Sequence, residues 1–150
     1  MTLTPKESSL LKDLRSQEQL CIDKYAKYAS DACDNQLKNL FTQIKQNETS
    51  HLQTLDQIAS GTIPMINING SKKQAPEIQP SSCTPQDKQR DSYLCADALS
   101  TEKHVSSEYN TSIFEFTDPN IRNVLNHIQK EEQEHGEYLY KYMSINGMYN

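Results

Sequence analysis

Residues 18–51, EQLCIDKYAKYASDACDNQLKNLFTQIKQNETSH, decide the fold because they recur as EKHVSSEYNTSIFEFTDPNIRNVLNHIQKEEQEH at residues 102–135. The two stretches align without gaps at an offset of 84 residues (102 minus 18), which is a whole number of heptads. The identical pairs are Glu18/Glu102, Tyr25/Tyr109, Asp34/Asp118, Asn39/Asn123, Ile44/Ile128, Glu48/Glu132 and His51/His135. The repeat predicts two copies of one helical hairpin, packed about a pseudo-twofold axis.

Start and stop signals divide the chain into four helices. Thr4 and Thr84 each precede a proline and supply an N-cap, and Asp118 does the same before a further proline. Gly61 and Gly147 are placed to end helices, because glycine readily adopts the left-handed backbone conformation there. These signals predict helices over residues 5–32, 36–60, 85–116 and 119–147.

The connection between the second and third helices, residues 61–84, is long. It contains Pro64, Gly70, Pro76 and Pro80 and shows no sustained periodicity. A long connection between two tight ones is typical of two antiparallel hairpins joined by a crossover. The predicted fold is therefore an all-α antiparallel four-helix bundle, one domain over residues 1–150 with hairpins at 5–60 and 85–147.

Each predicted helix carries an apolar stripe at steps of three and four, interrupted near its middle by a glutamate. Four unpaired buried carboxylates would repel one another, and two divalent cations would remove that cost. Glu-x-x-His places an oxygen and a nitrogen ligand on one helix face, and the other two glutamates, Glu18 and Glu102, would bridge the metals. Four glutamates and two histidines in this arrangement resemble the ligand set of di-iron and di-manganese carboxylate bundles, which implies two iron or manganese ions. The predicted ligands are Glu18, Glu48, His51, Glu102, Glu132 and His135.

Tyr25 and Tyr109 each follow a stripe glutamate by seven residues, two turns along the same face. Their phenols are predicted to hydrogen-bond to metal-bound carboxylates across the bundle. The alternative is a core tyrosine whose hydroxyl reaches the backbone or solvent. Other polar residues are assigned ordinary roles: a solvated charge run for Glu131 and Glu134, exposed histidines at His104 and His127, and small core residues at Cys21 and Cys95.

Composition limits the classes of partner. The net charge of −5, with scattered basic residues, argues against nucleic acid. No segment is apolar enough to span a membrane, and the first seven residues lack a signal core, so we expect synthesis in the cytosol. The four cysteines form no Cys-x-x-Cys pair, which argues against a rubredoxin-type iron site.

Residues 87–149 resemble spore coat proteins of the Coat F type. The matching stretches are ALSTEK (98–103), FTDPNIR (116–122) and YMSINGMY (142–149). The resemblance implies a ferritin-like helical protein deposited in the coat of a bacterial endospore. The Glu and Glu-x-x-His pattern with its two tyrosines also resembles rubrerythrin, although Val105 stands where rubrerythrins carry an additional glutamate ligand.

Two functions from different classes remain open. The first is a structural coat protein that assembles with itself or with other coat proteins and keeps a metal site. Cys33, Cys83 and the tyrosine-rich tail would serve its contacts between chains; the tail tyrosines are Tyr138, Tyr140, Tyr142 and Tyr149. The second is a di-metal redox enzyme, rubrerythrin-like or manganese-catalase-like, that removes peroxide or oxygen. In that enzyme Tyr25 and Tyr109 would be catalytic, steadying the carboxylates.

Overall fold

Four α-helices make up the fold in this computed structural model, which describes residues 1–66 and 75–149. The helices are α1 (Pro5–Asp31), α2 (Asn35–Ala59), α3 (Pro85–Ile113) and α4 (Pro119–Ile145). The described ranges contain no strand, so the predicted all-α class is confirmed. Within the connection, residues 62–66 and 75–84 are neither helix nor strand; the predicted role of Gly70 lies outside the described residues.

The predicted end of the third helix near residue 116 is wrong by three residues, because α3 ends at Ile113. Glu115 N donates to Ser112 O at 2.9 Å, so the chain tightens into a turn. This turn brings Phe116, which is only 2% exposed, into the core from outside the helix. Burial of that ring favours an early helix end over three further helical residues.

The helix ends use the predicted capping residues. The Thr4 hydroxyl accepts from Glu7 N at 3.1 Å, while Glu7 Oε2 accepts from Thr4 N at 2.7 Å, which completes a capping box. Gly61 has a φ of +96° and Gly147 a φ of +66°. At Gly61, the Thr62 amide donates to Gln57 O at 2.9 Å, the bond that defines a Schellman motif.

The helices pack as two hairpins, α1 along α2 and α3 along α4, with further contacts between α1 and α3 and between α2 and α4. Each helix buries one stripe at steps of three and four, as predicted. On α1 the buried residues are Glu7, Leu11, Leu14, Glu18, Cys21, Tyr25 and Tyr28. The central position of each stripe is a glutamate, so the fold delivers four carboxyl groups to the middle of its core.

Two further buried acids fasten each hairpin to the turn of the other. Glu7 Oε1 accepts from Thr117 N at 2.8 Å and from the Thr117 hydroxyl at 3.0 Å. Asp91 Oδ1 accepts from Cys33 N at 2.8 Å, and Asp91 Oδ2 accepts from Asp34 N at 3.0 Å. These contacts obey the offset of 84 residues (91 minus 7 and 117 minus 33), so the repeat extends beyond the stretch that revealed it.

Asp91→Asn is expected to lower the free energy of unfolding by about 1.5–3 kcal/mol, because one of the two backbone amides of Cys33 and Asp34 loses its charged acceptor. Chemical denaturation of the metal-free protein measures this change. The matched control is Asp13→Asn, an exposed position that should change stability by less than about 0.5 kcal/mol. Equal effects of the two substitutions would show that Asp91 does not fasten the α1–α2 turn.

Candidate metal centre

All six predicted ligands meet at the centre of the bundle, and each is at most 3% exposed. Within the described ranges they form two groups whose ligand atoms all lie within 4.8 Å of one another. The groups are Glu18, Glu48, His51, Glu132 and Glu48, Glu102, Glu132, His135. Glu48 and Glu132 belong to both groups, whereas Glu18 and Glu102 were predicted to bridge. The geometry thus gives the shared positions to the glutamates of the Glu-x-x-His pairs.

The His51 imidazole faces the first group through Nδ1. This atom lies 3.1 Å from Glu132 Oε1 and 3.4 Å from Glu48 Oε2. It is also 3.6 Å from Glu18 Oε1. The three carboxyl groups come from three different helices, so His51 Nδ1 and its neighbours surround one position rather than lining a surface.

The His135 imidazole faces the second group in the same way. His135 Nδ1 lies 2.9 Å from Glu48 Oε1, 3.4 Å from Glu102 Oε1 and 3.5 Å from Glu132 Oε2. The two imidazole rings stack with centroids 5.9 Å apart and planes at 27°. Both Nδ1 atoms therefore point into one cluster of carboxyl groups, and both Nε2 atoms point away from it.

Five buried atoms at this centre make no hydrogen bond within the described part of the chain: Glu18 Oε2, Glu48 Oε1, Glu102 Oε2, Glu132 Oε2 and His135 Nδ1. The 2.9 Å contact between His135 Nδ1 and Glu48 Oε1 has the distance of an ion pair but not the alignment of a hydrogen bond. Buried polar atoms are normally satisfied, because an unpaired one costs about 1–3 kcal/mol. Carboxylate oxygens and imidazole nitrogens are ligands that divalent transition metals accept, so this donor set fits a bound metal ion.

The carboxyl groups have divergent pKa values. Burial and the adjacent Glu48 raise the pKa of Glu18 to about 8. Burial and the negative charge of Glu102 raise the pKa of Glu132 well above its usual value. Burial also acts to raise the pKa of Glu48, but its interactions with Glu18 and with the two histidines outweigh burial and hold that pKa well below its usual value.

Both imidazoles have a raised pKa. Burial acts to lower the pKa of His51, but Glu131 and Glu132 outweigh it and raise the pKa well above its usual value. Burial also acts to lower the pKa of His135, but the negative charge of Glu102 outweighs burial and raises that pKa well above its usual value. Without cations, protons on the imidazoles supply positive charge among the carboxylates, and a bound cation would displace them.

The tyrosines make the hydrogen bonds that their spacing predicts. Tyr25 OH donates to Glu102 Oε1 and Tyr109 OH donates to Glu18 Oε1, each at 2.5 Å. Both phenols are fully buried, and burial followed by the nearby carboxylate charge raises the pKa of each well above its usual value. Each tyrosine therefore stays protonated and orients a glutamate of the opposite hairpin.

Glu131 was predicted to lie in a solvated charge run, and this prediction is wrong. Its Oε1 lies 3.1 Å from His51 Nε2 and 3.2 Å from His127 Nε2, and its side chain is only 15% exposed. Asn47, for which no role was predicted, lies with its amide nitrogen 2.8 Å from His135 Nε2. The missed signal was the repeat itself, since Asn47 and Glu131 occupy equivalent positions.

The structure also shows the exposure of the other cysteines and histidines to which the sequence assigned ordinary roles. Cys21 and Cys95 are buried, with 1% and 0% exposure, and belong to neither group of ligand atoms in the described ranges. His104 is exposed as predicted, with its side chain 60% accessible, whereas His127 is only partly exposed at 35%. Within the part of the chain that the structure covers, no helix has the length and apolar character needed to cross a bilayer.

Comparison with solved structures identifies the architecture. A two-domain protein from Anabaena variabilis, with DJ-1/ThiJ/PfpI-like and ferritin-like domains, superposes with a TM-score of 0.71 at 16% identity. The match covers 95% of this chain but only 37% of that one, and such low identity establishes the fold alone. The chain therefore has a ferritin-like four-helix fold.

A search of curated proteins gave no match. Residues 90–150, which hold most of the second hairpin, match the family model described as the Coat F domain.

Proposed function

We propose that this protein is a spore coat component of ferritin-like fold that holds two iron or manganese ions between its helices. The metal site is supported by five buried atoms that make no hydrogen bond in the described part of the chain, all of which belong to the six candidate ligands. The match of residues 90–150 to the Coat F domain supports the cellular role. The two parts of the proposal rest on separate observations and are tested separately.

Charge supports two ions rather than one. Four carboxylates carry four negative charges, which two divalent cations balance without help from protonated imidazoles. One ion would be held by Glu18 and His51, the other by Glu102 and His135, with Glu48 and Glu132 available to both. When bound, an iron or manganese pair supplies electron transfer to an oxidant, a chemistry that the side chains alone lack.

Binding of the metals is expected to release protons and to weaken as the pH falls. The raised pKa values of Glu18, Glu132 and both imidazoles favour their protonated forms in the metal-free protein, so a pair of ions should displace protons from these groups. Raising the pH above about 8, the pKa of Glu18, removes part of this competition. Calorimetric titration with Mn²⁺ in two buffers of different ionisation enthalpy measures the number. A heat independent of the buffer would contradict this assignment of protons.

Assembly into a coat requires surfaces that the bundle does not use internally. The tail was predicted to contribute four tyrosines, but Tyr138 and Tyr142 are 6% and 0% exposed and belong to the core. Tyr140 and Tyr149 are 49% and 44% exposed and pack edge to face. They are the members of this group that a neighbouring chain could contact.

Cys33 and Cys83 are free thiols with partial exposure, so disulfides between chains are open to them under oxidising conditions. Light scattering and non-reducing gels, on the wild type and on Cys33→Ser with Cys83→Ser, test this part of the proposal. We expect multimers that the double substitution reduces. A wild-type protein that stays monomeric at high concentration would contradict the coat-building role.

A redox enzyme that consumes peroxide or oxygen is the second candidate, favoured by the buried tyrosines on Glu18 and Glu102. If the iron-loaded protein is such an enzyme, Tyr25→Phe with Tyr109→Phe should slow its oxidation by peroxide by about 10–100-fold, because two ligands lose their orienting hydrogen bonds. Stopped-flow absorbance measures the rate, with the exposed Tyr93→Phe as control. Wild-type oxidation no faster than that of free ferrous iron would reject the enzyme and leave a structural metal site.

A further inference from the structure

The two imidazoles of the metal centre have different partners on the side that faces away from the carboxyl cluster. His51 Nε2 lies 3.1 Å from the carboxyl oxygen Oε1 of Glu131. His135 Nε2 lies 2.8 Å from the side-chain amide of Asn47. The sequence repeat makes this a matched pair, because Asn47 and Glu131 are separated by the same 84 residues (131 minus 47) as the ligands themselves.

The rest of the centre obeys the repeat closely. Each half contributes one glutamate that accepts from a tyrosine, one shared glutamate and one histidine. The two tyrosine hydrogen bonds are equal in length, at 2.5 Å. The exchange of an amide for a carboxylate at the imidazoles is therefore a local break in an otherwise repeated site.

A carboxylate and an amide act differently on a metal-binding imidazole. When Nδ1 binds a cation, Nε2 keeps its proton and donates it to the outer partner. A carboxylate acceptor makes the imidazole a stronger donor to the metal than a neutral amide oxygen does, because the hydrogen bond is charge-assisted. The Asn47 amide contacts Nε2 of His135, and the oxygen of that amide is the atom that can accept the proton.

We propose that the two metal positions are inequivalent, and that the position bounded by Glu18 and His51 binds its divalent cation first because Glu131 supports His51. Glu131 is thus a positioning residue that acts through an imidazole. The same oxygen, Oε1, also lies 3.2 Å from Nε2 of His127, one turn earlier on α4, and this second contact restrains the carboxylate. This inference rests on the proposed metal site and adds an order of filling to it.

The test follows both histidines separately during a titration with Zn²⁺, a diamagnetic probe of the same charge. Side-chain nitrogen signals of ¹⁵N-histidine-labelled protein are assigned with His51→Gln and His135→Gln variants. In the wild type we expect the His51 signals to move during the first equivalent of zinc and the His135 signals during the second.

Two substitutions exchange the outer partners. Glu131→Gln should lower the affinity for the first zinc ion by about 10–100-fold, so that the signals of both histidines move together. Asn47→Asp should tighten the His135 position by a comparable factor. Glu134→Gln, on the same helix and outside both ligand groups of the described residues, is the matched control and should leave the order unchanged.

Different outcomes of this titration test the order of filling and the metal site separately. Simultaneous movement of both histidines in the wild type, or an unchanged order in Glu131→Gln, would overturn the inequivalence and leave the metal site intact. If neither histidine responded to zinc, the metal site itself would fail and the inference with it. The structure predicts that Glu131→Gln removes the order in which the two positions fill. It also predicts that Asn47→Asp raises the zinc affinity of the His135 position.

Discussion

Saturation with Mn²⁺ is expected to raise the melting temperature by roughly 15–30 °C when free metal exceeds the dissociation constants about 1,000-fold. Each ion that binds only the folded chain then contributes about 4 kcal/mol. In the metal-free protein the same atoms are a cost, since five buried ligand atoms have no hydrogen bond within the described ranges. Differential scanning calorimetry with and without metal measures the shift.

A chelator provides the control for this result. Excess chelator should return the melting temperature to its metal-free value, because the stabilisation arises from mass action alone. Mg²⁺ at the same concentration should stabilise the protein less, because it prefers oxygen ligands and keeps much of its water. A melting temperature that does not depend on Mn²⁺ would show that the centre is a polar core without affinity for metal.

Glu48→Gln combined with Glu132→Gln is expected to abolish tight binding of both ions. These two side chains belong to both groups of ligand atoms, so each substitution damages both positions at once. Glutamine keeps nearly the same shape while removing the charge and one oxygen acceptor, and the helices should remain formed. Elemental analysis after loading and desalting measures the loss, and circular dichroism confirms the helix content.

The matched control for this double substitution is Glu137→Gln, which changes an exposed glutamate on the same helix as Glu132. It should keep full metal content and the full metal-dependent shift in melting temperature. If the double variant retained the wild-type stoichiometry, the metal would lie outside the cluster of buried carboxyl groups, and the assignment of all six ligands would be wrong.

The sequence alone predicted the helices and the meeting of the six side chains, because both depend on periodicity. Caps at Thr4, Thr84 and Asp118 begin three of the helices where expected. The repeat also placed Tyr25 and Tyr109 opposite carboxylates of the other hairpin, where the structure finds them. A pattern with a fixed period determines which face of a helix a residue occupies, and these features required only that.

Features that depend on distances between helices were predicted poorly. The sequence predicted Glu18 and Glu102 as bridging residues, whereas the side chains that belong to both groups of ligand atoms in the described residues are Glu48 and Glu132. Glu131 lies beside the stripe of its own helix, yet it reaches an imidazole on another helix. A stripe drawn for a single helix cannot show a contact that forms across a helix boundary.

The contacts of the buried acids Glu7 and Asp91 with the turns also form between hairpins, and they were not predicted. Glu7 satisfies its own capping box, so nothing local required it to serve the opposite hairpin as well. Asp91 has no such local role, and only the 84-residue offset connects it to Glu7. Extending the alignment of the two halves toward their N-termini would have identified both residues before the structure did.

Metal content per chain is the measurement that tests the account most directly. Protein purified without chelators, loaded anaerobically with Fe²⁺ or with Mn²⁺ and desalted, should retain close to two ions per chain by elemental analysis. The two tightly bound ions should disappear together in Glu48→Gln with Glu132→Gln, while the helix content stays unchanged. Retention of no metal by the folded wild type, or of the same amount by the double variant, would contradict the central claim that these buried carboxylates and imidazoles form a two-metal site.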